Sequence, residues 1–162
     1  MRILGIDPGI GRCGWGMVDA RNSKYKALDF GCIETSSKKE IPDRLQEIYE
    51  EISKLIKAHK PDVLSIEELF FNTNAKTAFV VGQARGVILL AAAQNKLEIA
   101  IYTPLQVKMA LTGYGHAEKS QVGKMVKSLL SLKEVPKPDD TADALAIALT
   151  FAFSNRLAKL AK

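Results

Sequence analysis

Long apolar runs are missing from this chain of 162 residues, and cysteine and histidine are almost missing too. No stretch approaches the roughly 20 apolar residues of a membrane span, and none reads as the apolar core of a signal peptide, so a cytoplasmic protein without membrane contact is expected. The two cysteines, Cys13 and Cys32, fit no metal-ligand spacing. Both fall inside expected strands, where they read as small buried hydrophobes rather than a disulfide. His59 and His116 stand apart from any cluster and are expected to be solvated surface residues. No linker, repeat or low-complexity segment divides the sequence. It is long enough for one domain with a sizeable core and too short for two, so residues 1–162 are expected to form one domain, with a basic tail from about 155 to 162 that frays. The charge balance is 23 Lys and Arg against 18 Asp and Glu, a net +5, which favours a polyanionic partner only weakly.

What is present begins at the first residues, ILGIDPGIGRCGWG. Ile3, Leu4 and Ile6 make the near-continuous apolar run of a strand covered on both faces, and the run ends on Asp7 before a turn through Pro8 and Gly9. A charge at the tip of a buried strand is costly unless paired or metal-bound. By itself Asp7 also reads as a simple turn residue. Gly9, Gly11, Gly14 and Gly16 invite comparison with a phosphate loop, but their spacing is neither the dinucleotide nor the Walker pattern. Cys13, Trp15 and Met17 share one parity, and Leu28, Phe30 and Cys32 another. The first 35 residues therefore predict a three-stranded antiparallel meander.

From Ile41 the period changes, because Ile41, Leu45, Ile48, Ile52, Leu55 and Ile56 fall three or four apart, as in an amphipathic helix with Pro42 in its first turn and Pro61 beyond its end. Asp62 to Glu67 is a second short apolar run ending in a carboxylate. After FFNTNAK, a helix from about 75 to 94 is expected, and its second half, VILLAAA, is apolar on every side. Such a segment either crosses the interior or meets another subunit. Gly82, Ala84 and Gly86 would allow close backbone approach there, against about 1 kcal/mol per mid-helix glycine. A short strand at 99–102, a helix from Pro104 to about 111 and a glycine-bearing loop follow. The next helix begins near 117 with Lys119, Lys124 and Lys127 off its apolar stripe, where a solvated face is the plainer reading.

The last helix starts near Asp139 and reads DDTADALAIALTFAF, with Asp140 and Asp143 neighbours on one face. Two strand ends and one helix start thus contribute Asp7, Glu67, Asp140 and Asp143. Four converging carboxylates raise one another's pKa values unless cations intervene, and Mg²⁺ suits such hard oxygen ligands. Two such ions about 3.5–4 Å apart can clamp the attacking and leaving oxygens of an in-line phosphoryl displacement. Glu68 adjoins Glu67 and Asp139 adjoins Asp140. Asp139 lies four residues from Asp143 and could share its face, so spacing leaves that choice open.

The motifs LGIDPG (4–9), GCI (31–33), RL..IY (44–49), IE..F (66–70), GQARG (82–86), QVK (106–108), AEKSQV (117–122) and D..DALAIA (140–148) stand in an order that resembles the RuvC family of Holliday junction resolvases. The resemblance covers nearly the whole chain. It implies an α/β, ribonuclease H-like fold, a five-stranded mixed sheet with helices on both faces. It implies an Mg²⁺-dependent endonuclease, with two ions per site and Mn²⁺ able to substitute, that nicks two opposed strands of a four-way DNA junction in recombination and repair. The implied metal ligands are Asp7, Glu67, Asp140 and Asp143, with Lys119 at the scissile phosphate. Phe70 would stack on a base, and Lys108, Lys124 and Arg85 would contact DNA. A homodimer is implied, as are RuvA and RuvB as branch-migration partners. Two other classes compete: a junction-binding module without catalysis, against which four intact acids argue because acids repel phosphate, and an actin-like ATPase, for whose second domain the chain has no room.

Overall fold

The computed structural model describes the backbone of residues 1–68 and 75–160, and the side chains of these apart from 75–77, 157, 159 and 160. Five strands form one mixed sheet: β1 (Arg2–Asp7), β2 (Arg12–Arg21), β3 (Lys24–Glu34), β4 (Val63–Glu67) and β5 (Glu98–Tyr102), in the order β3-β2-β1-β4-β5. The first three are the antiparallel meander that the alternating sequence predicts, and β4 and β5 add in parallel. Helix α1 (Ile41–His59) connects β3 to β4, and α2 (Ala75–Gln94) connects β4 to β5. After β5 come α3 (Pro104–Thr112), α4 (Lys119–Leu129) and α5 (Asp139–Leu160). The residues expected to form a basic tail continue α5 as far as Leu160, because Leu and Ala there are strong helix formers.

Alternation along the strands creates two cores. Leu4, Ile6, Cys13, Met17, Leu64 and Ile66 face α1 and α2, whereas Ile3, Val18 and Val63 face the helices that follow β5. Cys13 is fully buried and Cys32 half-buried, and both are free thiols. His59, expected at a solvated surface, is instead half-buried at the end of α1. Its ring lies 6.1 Å from that of Trp15 and its Nε2 3.4 Å from Asp29 Oδ2. A residue that ends a helix lying on a sheet is not free to face water on every side. His116 is exposed beside Tyr114.

The glycines that do not spell a phosphate loop have a packing role. A methyl carbon at Gly5 would lie 2.1 Å from the Ala144 carbonyl oxygen, and one at Gly14 only 1.9 Å from that of Asp140. Helix α5 therefore rests with its backbone directly on β1 and β2. Two buried hydroxyls fix it there: Ser65 Oγ donates to the Ile147 carbonyl at 3.0 Å, and Thr141 Oγ1 to the Gly31 carbonyl at 3.1 Å.

This contact predicts that Gly14→Ala, which drives a side chain into the α5 backbone, costs about 1–3 kcal/mol and lowers the melting temperature by roughly 3–10 °C. At Gly11 the nearest atom is the Arg44 guanidinium at 3.6 Å, an ordinary contact, so Gly11→Ala should change the melting temperature little. Thermal unfolding of the two variants side by side checks this, and equal effects would contradict it.

Candidate active site

Asp7 sits at the end of β1, and the parallel neighbour β4 ends on Glu67, in a ladder that pairs Ile6 with Ile66. Two adjacent parallel strands thus deliver two carboxylates to the same end of the sheet. The first turns of α5 bring Asp143 to the same place, and the first residue of α4 brings Lys119. These four side chains, with Lys108 from α3, line a cleft of about 310 Å³ whose remaining wall is formed by Pro104, Val107, Val122 and Ile147. Lys119 Nζ donates to Asp143 Oδ2 at 2.7 Å.

Asp140 is turned aside. It does not line the cleft, and its Oδ2 lies 3.2 Å from Arg12 Nε. That oxygen is closed off from solvent and accepts no hydrogen bond, so the contact with Arg12 is a charge contact of poor geometry. Glu68 and Asp139, the alternatives that spacing leaves open, are placed differently. Glu68 lies past the end of β4, exposed and outside the cleft lining, and its N–H donates to the Tyr102 carbonyl at 2.8 Å. Asp139 is exposed, though near enough to Lys119 to favour its charged form.

The remaining expected contacts divide. Lys108 lines the cleft, while Lys124 is exposed on α4 and does not. Arg85, expected as a DNA contact, is half-buried and donates from Nε to the Glu67 carbonyl at 3.2 Å, so it braces the strand end that carries an acid. Phe70 lies outside the described residues. Arg12, which lies outside the motifs, and Arg44, which stands in RL..IY without an implied role, also bear on the site. Arg12 does so through Asp140, and Arg44 through Thr35: Arg44 Nε donates to Thr35 Oγ1 at 2.8 Å, Thr35 Oγ1 donates to the Ile10 carbonyl, and the Thr35 N–H donates to that of Gly11 at 3.1 Å. This clamp fixes the turn that follows Asp7. Parity was the available signal for Arg12, which alternates with Gly14 and Gly16 on the α5 face.

The acids strain against one another. Burial first, then the charges of Glu67, Asp143 and Asp140, push Asp7 up to about 8, with Lys119 opposing. Burial and then Asp143 push Glu67 up to about 7, again with Lys119 opposing. The hydrogen bond to Asp143 raises Lys119 in turn. Among the described residues no three Asp, Glu, His or Cys side chains stand close enough to form a ready cage for a metal. With Lys119 on Asp143 and Arg12 on Asp140, the cationic side chains occupy two of the four acids. The donor set itself fits a hard divalent cation: all oxygen, partly buried, short of positive charge, and including one carboxylate oxygen with no hydrogen bond.

Residues 3–151 match the family model described as crossover junction endodeoxyribonuclease RuvC. A relative of that name from Alkaliphilus metalliredigens is 56% identical over 162 residues, which cover 100% of this chain and 99% of the relative. Thermus thermophilus RuvC superposes with a TM-score of 0.91 at 38% identity, over 98% of this chain and 97% of that one. The T. thermophilus RuvC in complex with a Holliday junction substrate gives 0.89 at 36% identity, over 97% and 96%. The five-stranded mixed sheet with helices on both faces is thus the ribonuclease H-like arrangement that the motifs implied.

The raised carboxylates set a pH dependence for the metal-free protein. Asp7 and Glu67 bind protons more tightly folded than unfolded, so their contribution to stability is full below about pH 4 and is lost as pH rises through 7 and 8. In chelator the melting temperature should fall between pH 5.5 and 8.5 by roughly 3 °C or more, the effect of about 1 kcal/mol in a chain of this size. Asp7→Asn should flatten the fall and melt higher than wild type at pH 8.5. A wild-type melting temperature that rises over this range would contradict the burial of the acids.

Proposed function

The chain belongs to the RuvC family of crossover junction endodeoxyribonucleases, and from that premise we propose that it resolves four-way DNA junctions by paired, symmetric nicks in recombination and repair. The observation that carries the reading is the meeting of Asp7, Glu67 and Asp143 with Lys119 in one cleft, where carboxylates are held at raised pKa and only a cation would make them welcome to phosphate. Asp7, Glu67, Asp143 and, once released from Arg12, Asp140 would hold two Mg²⁺, for which Mn²⁺ can substitute. When bound, these supply an acidified water as nucleophile and charge neutralisation at the leaving oxygen.

The chain's own groups do the rest. Lys119, with an ammonium that can leave Asp143 for a non-bridging phosphate oxygen, offsets the charge that develops there. Lys108, on the cleft wall, steers the strand toward it, and Lys124, on the outer face of α4, adds to the field that attracts the backbone. Arg85 keeps Glu67 in place from behind and is a DNA contact only through the part of its guanidinium not given to the Glu67 carbonyl. Phe70 is assigned to stacking on a base near the junction point. The products are nicks with 5′-phosphate and 3′-hydroxyl ends. We place the whole of residues 1–162 in this nuclease domain, in the cytoplasm, with RuvA and RuvB as partners.

The working unit is proposed to be a two-fold dimer. Phe79 and Leu90 are eleven residues apart on α2, three helical turns, so they share a face. They are among the most exposed apolar side chains described, and Val87 is only half-buried. Gly86 lies on that face with nothing of its own chain within 4 Å of a would-be side chain. A mid-helix glycine that costs about 1 kcal/mol and packs nothing within the chain suits close approach by a second backbone. Ile99 and Ile101, on the opposite parity to Ala100 and Tyr102, continue the apolar surface on the edge strand. Two equivalent active sites then match the two opposed strands of the junction.

Nicking assays on a synthetic junction test the site. Asp7→Asn, Glu67→Gln, Asp140→Asn and Asp143→Asn should each lower the rate at least about 100-fold in Mg²⁺ while junction binding persists. Lys119→Ala should lower it roughly 10²–10³-fold with little change in affinity. Loss of nicking in Glu68→Gln and Asp139→Asn instead would overturn the assignment. Sedimentation tests the dimer: wild type should run as a dimer and Leu90→Glu as a monomer that no longer makes paired cuts.

A further inference from the structure

Among the described residues, Arg12 is the one cation at the site that no motif accounts for, and it touches an acid that the proposed reaction needs. It opens β2 in the row that contains Gly14, the residue on which the Asp140 backbone rests. Its side chain therefore leaves the sheet on the α5 face, at the helix's first turn. There Nε meets Asp140 Oδ2 at 3.2 Å. Arg12 is 57% exposed and Asp140 24%, so the arginine lies on the solvent side and the acid on the protein side. The acid's oxygen accepts no hydrogen bond. An oxygen in that state is held by charge alone, and a stronger charge of better geometry can take it. Arg12 also has a second place to go. Directly opposite it in the β2–β3 ladder is Glu34, an exposed carboxylate on the same face.

On the nuclease reading above, on which this inference rests, Asp140 has to be free to bind a divalent cation. We propose that Arg12 is a placeholder: it neutralises Asp140 in the metal-free protein, gives that oxygen up to the cation, and then takes a phosphate of the bound strand. Its half-exposed guanidinium has the planar donor fork that suits phosphate oxygens. Metal binding and DNA binding are thereby coupled through one side chain. The cation both occupies Asp140 and releases a positive group to the rim of the cleft, where a net acidic cluster would otherwise repel the backbone. Arg12 is a competitor for the metal and a partner for the DNA, and the two roles have opposite signatures on substitution.

Calorimetric titration of full-length protein with Mn²⁺, without DNA, reads the first role. Arg12→Gln should bind Mn²⁺ about 3–10-fold more tightly than wild type, and Arg12→Lys, which keeps the charge, should return toward the wild-type affinity. Junction binding against salt reads the second, with Ca²⁺ in place of Mg²⁺ in the cold so that the substrate survives. With Ca²⁺, Arg12→Gln should reduce the salt slope by about one unit, and in chelator, where the arginine is engaged by Asp140, it should leave the slope unchanged. Unchanged or weaker Mn²⁺ affinity in Arg12→Gln overturns the placeholder role, and so does an equal loss of slope with and without Ca²⁺. Either result beside wild-type junction nicking in Mg²⁺ leaves the nuclease reading intact. Wild type that takes up no Mn²⁺ and nicks nothing overturns that reading and this one together.

Discussion

Like charges crowded into a partly buried place are the constraint around which this molecule is arranged. Asp7 and Glu67 are pushed up to about 8 and 7, and in each case burial is the largest single cause, ahead of any one neighbouring acid. The acids are enclosed by the apolar wall of Pro104, Val107 and Val122 and by the docked helix α5, which contributes Ile147. The free energy that elsewhere would be spent on well-paired side chains is here left as strain between carboxylates. A site in that condition has high affinity for whatever supplies positive charge in the right geometry.

Keeping such a cluster together requires a scaffold that does not yield to the repulsion. Parallel pairing of β1 with β4 fixes two acids side by side through the sheet ladder, which is cooperative and rigid. The third and fourth come from α5, and α5 cannot drift, because its backbone lies against Gly5 and Gly14 and is pinned by Ser65 and Thr141. The turn after Asp7 is held from a different direction by the Arg44–Thr35 clamp, and the end of β4 by Arg85. Every strand or helix end that carries an acid is therefore tied to a neighbour by a contact that does not involve the acid itself.

The sequence made much of this legible, and for identifiable reasons. Strand and helix periods are local properties, so the ten elements of the described residues could be read from the spacing of residues such as Ile48, Ile52 and Ile56, whose side chains have one buried face to satisfy. The acids at the ends of apolar runs, Asp7 and Glu67, were visible because a charge next to a buried strand is costly and needs a reason. Contacts between elements distant in sequence were not visible. That Gly14 supports Asp140, that Arg12 reaches the same acid, and that His59 lies on Trp15 depend on how α5 and α1 settle on the sheet, which no local pattern encodes. Motif matching had the same limit. It implied a DNA contact for Arg85 but not the hydrogen bond by which that side chain braces the Glu67 carbonyl.

The basic residues around the site fall into two kinds, and exposure separates them. Arg44 and Arg85 are half-buried and spend their donors on a hydroxyl and a backbone carbonyl, partners that stay put through any change in metal or substrate. Lys119 and Arg12 are 73% and 57% exposed and pair with carboxylates. An ion pair with one partner so exposed contributes little to stability, of the order of 0–1 kcal/mol, because water competes for both groups. Weakness is the useful property here. A deeply buried arginine on Asp140 or lysine on Asp143 would leave a desolvated charge behind when displaced, at a cost of several kcal/mol, and no divalent cation could evict it cheaply. Exposed cations can quiet the acids while the site waits and then move a few ångströms to the phosphate that arrives. The same reasoning explains why the rigid contacts of the scaffold avoid the acids: a carboxylate bound firmly by the protein is one that the chemistry could not use.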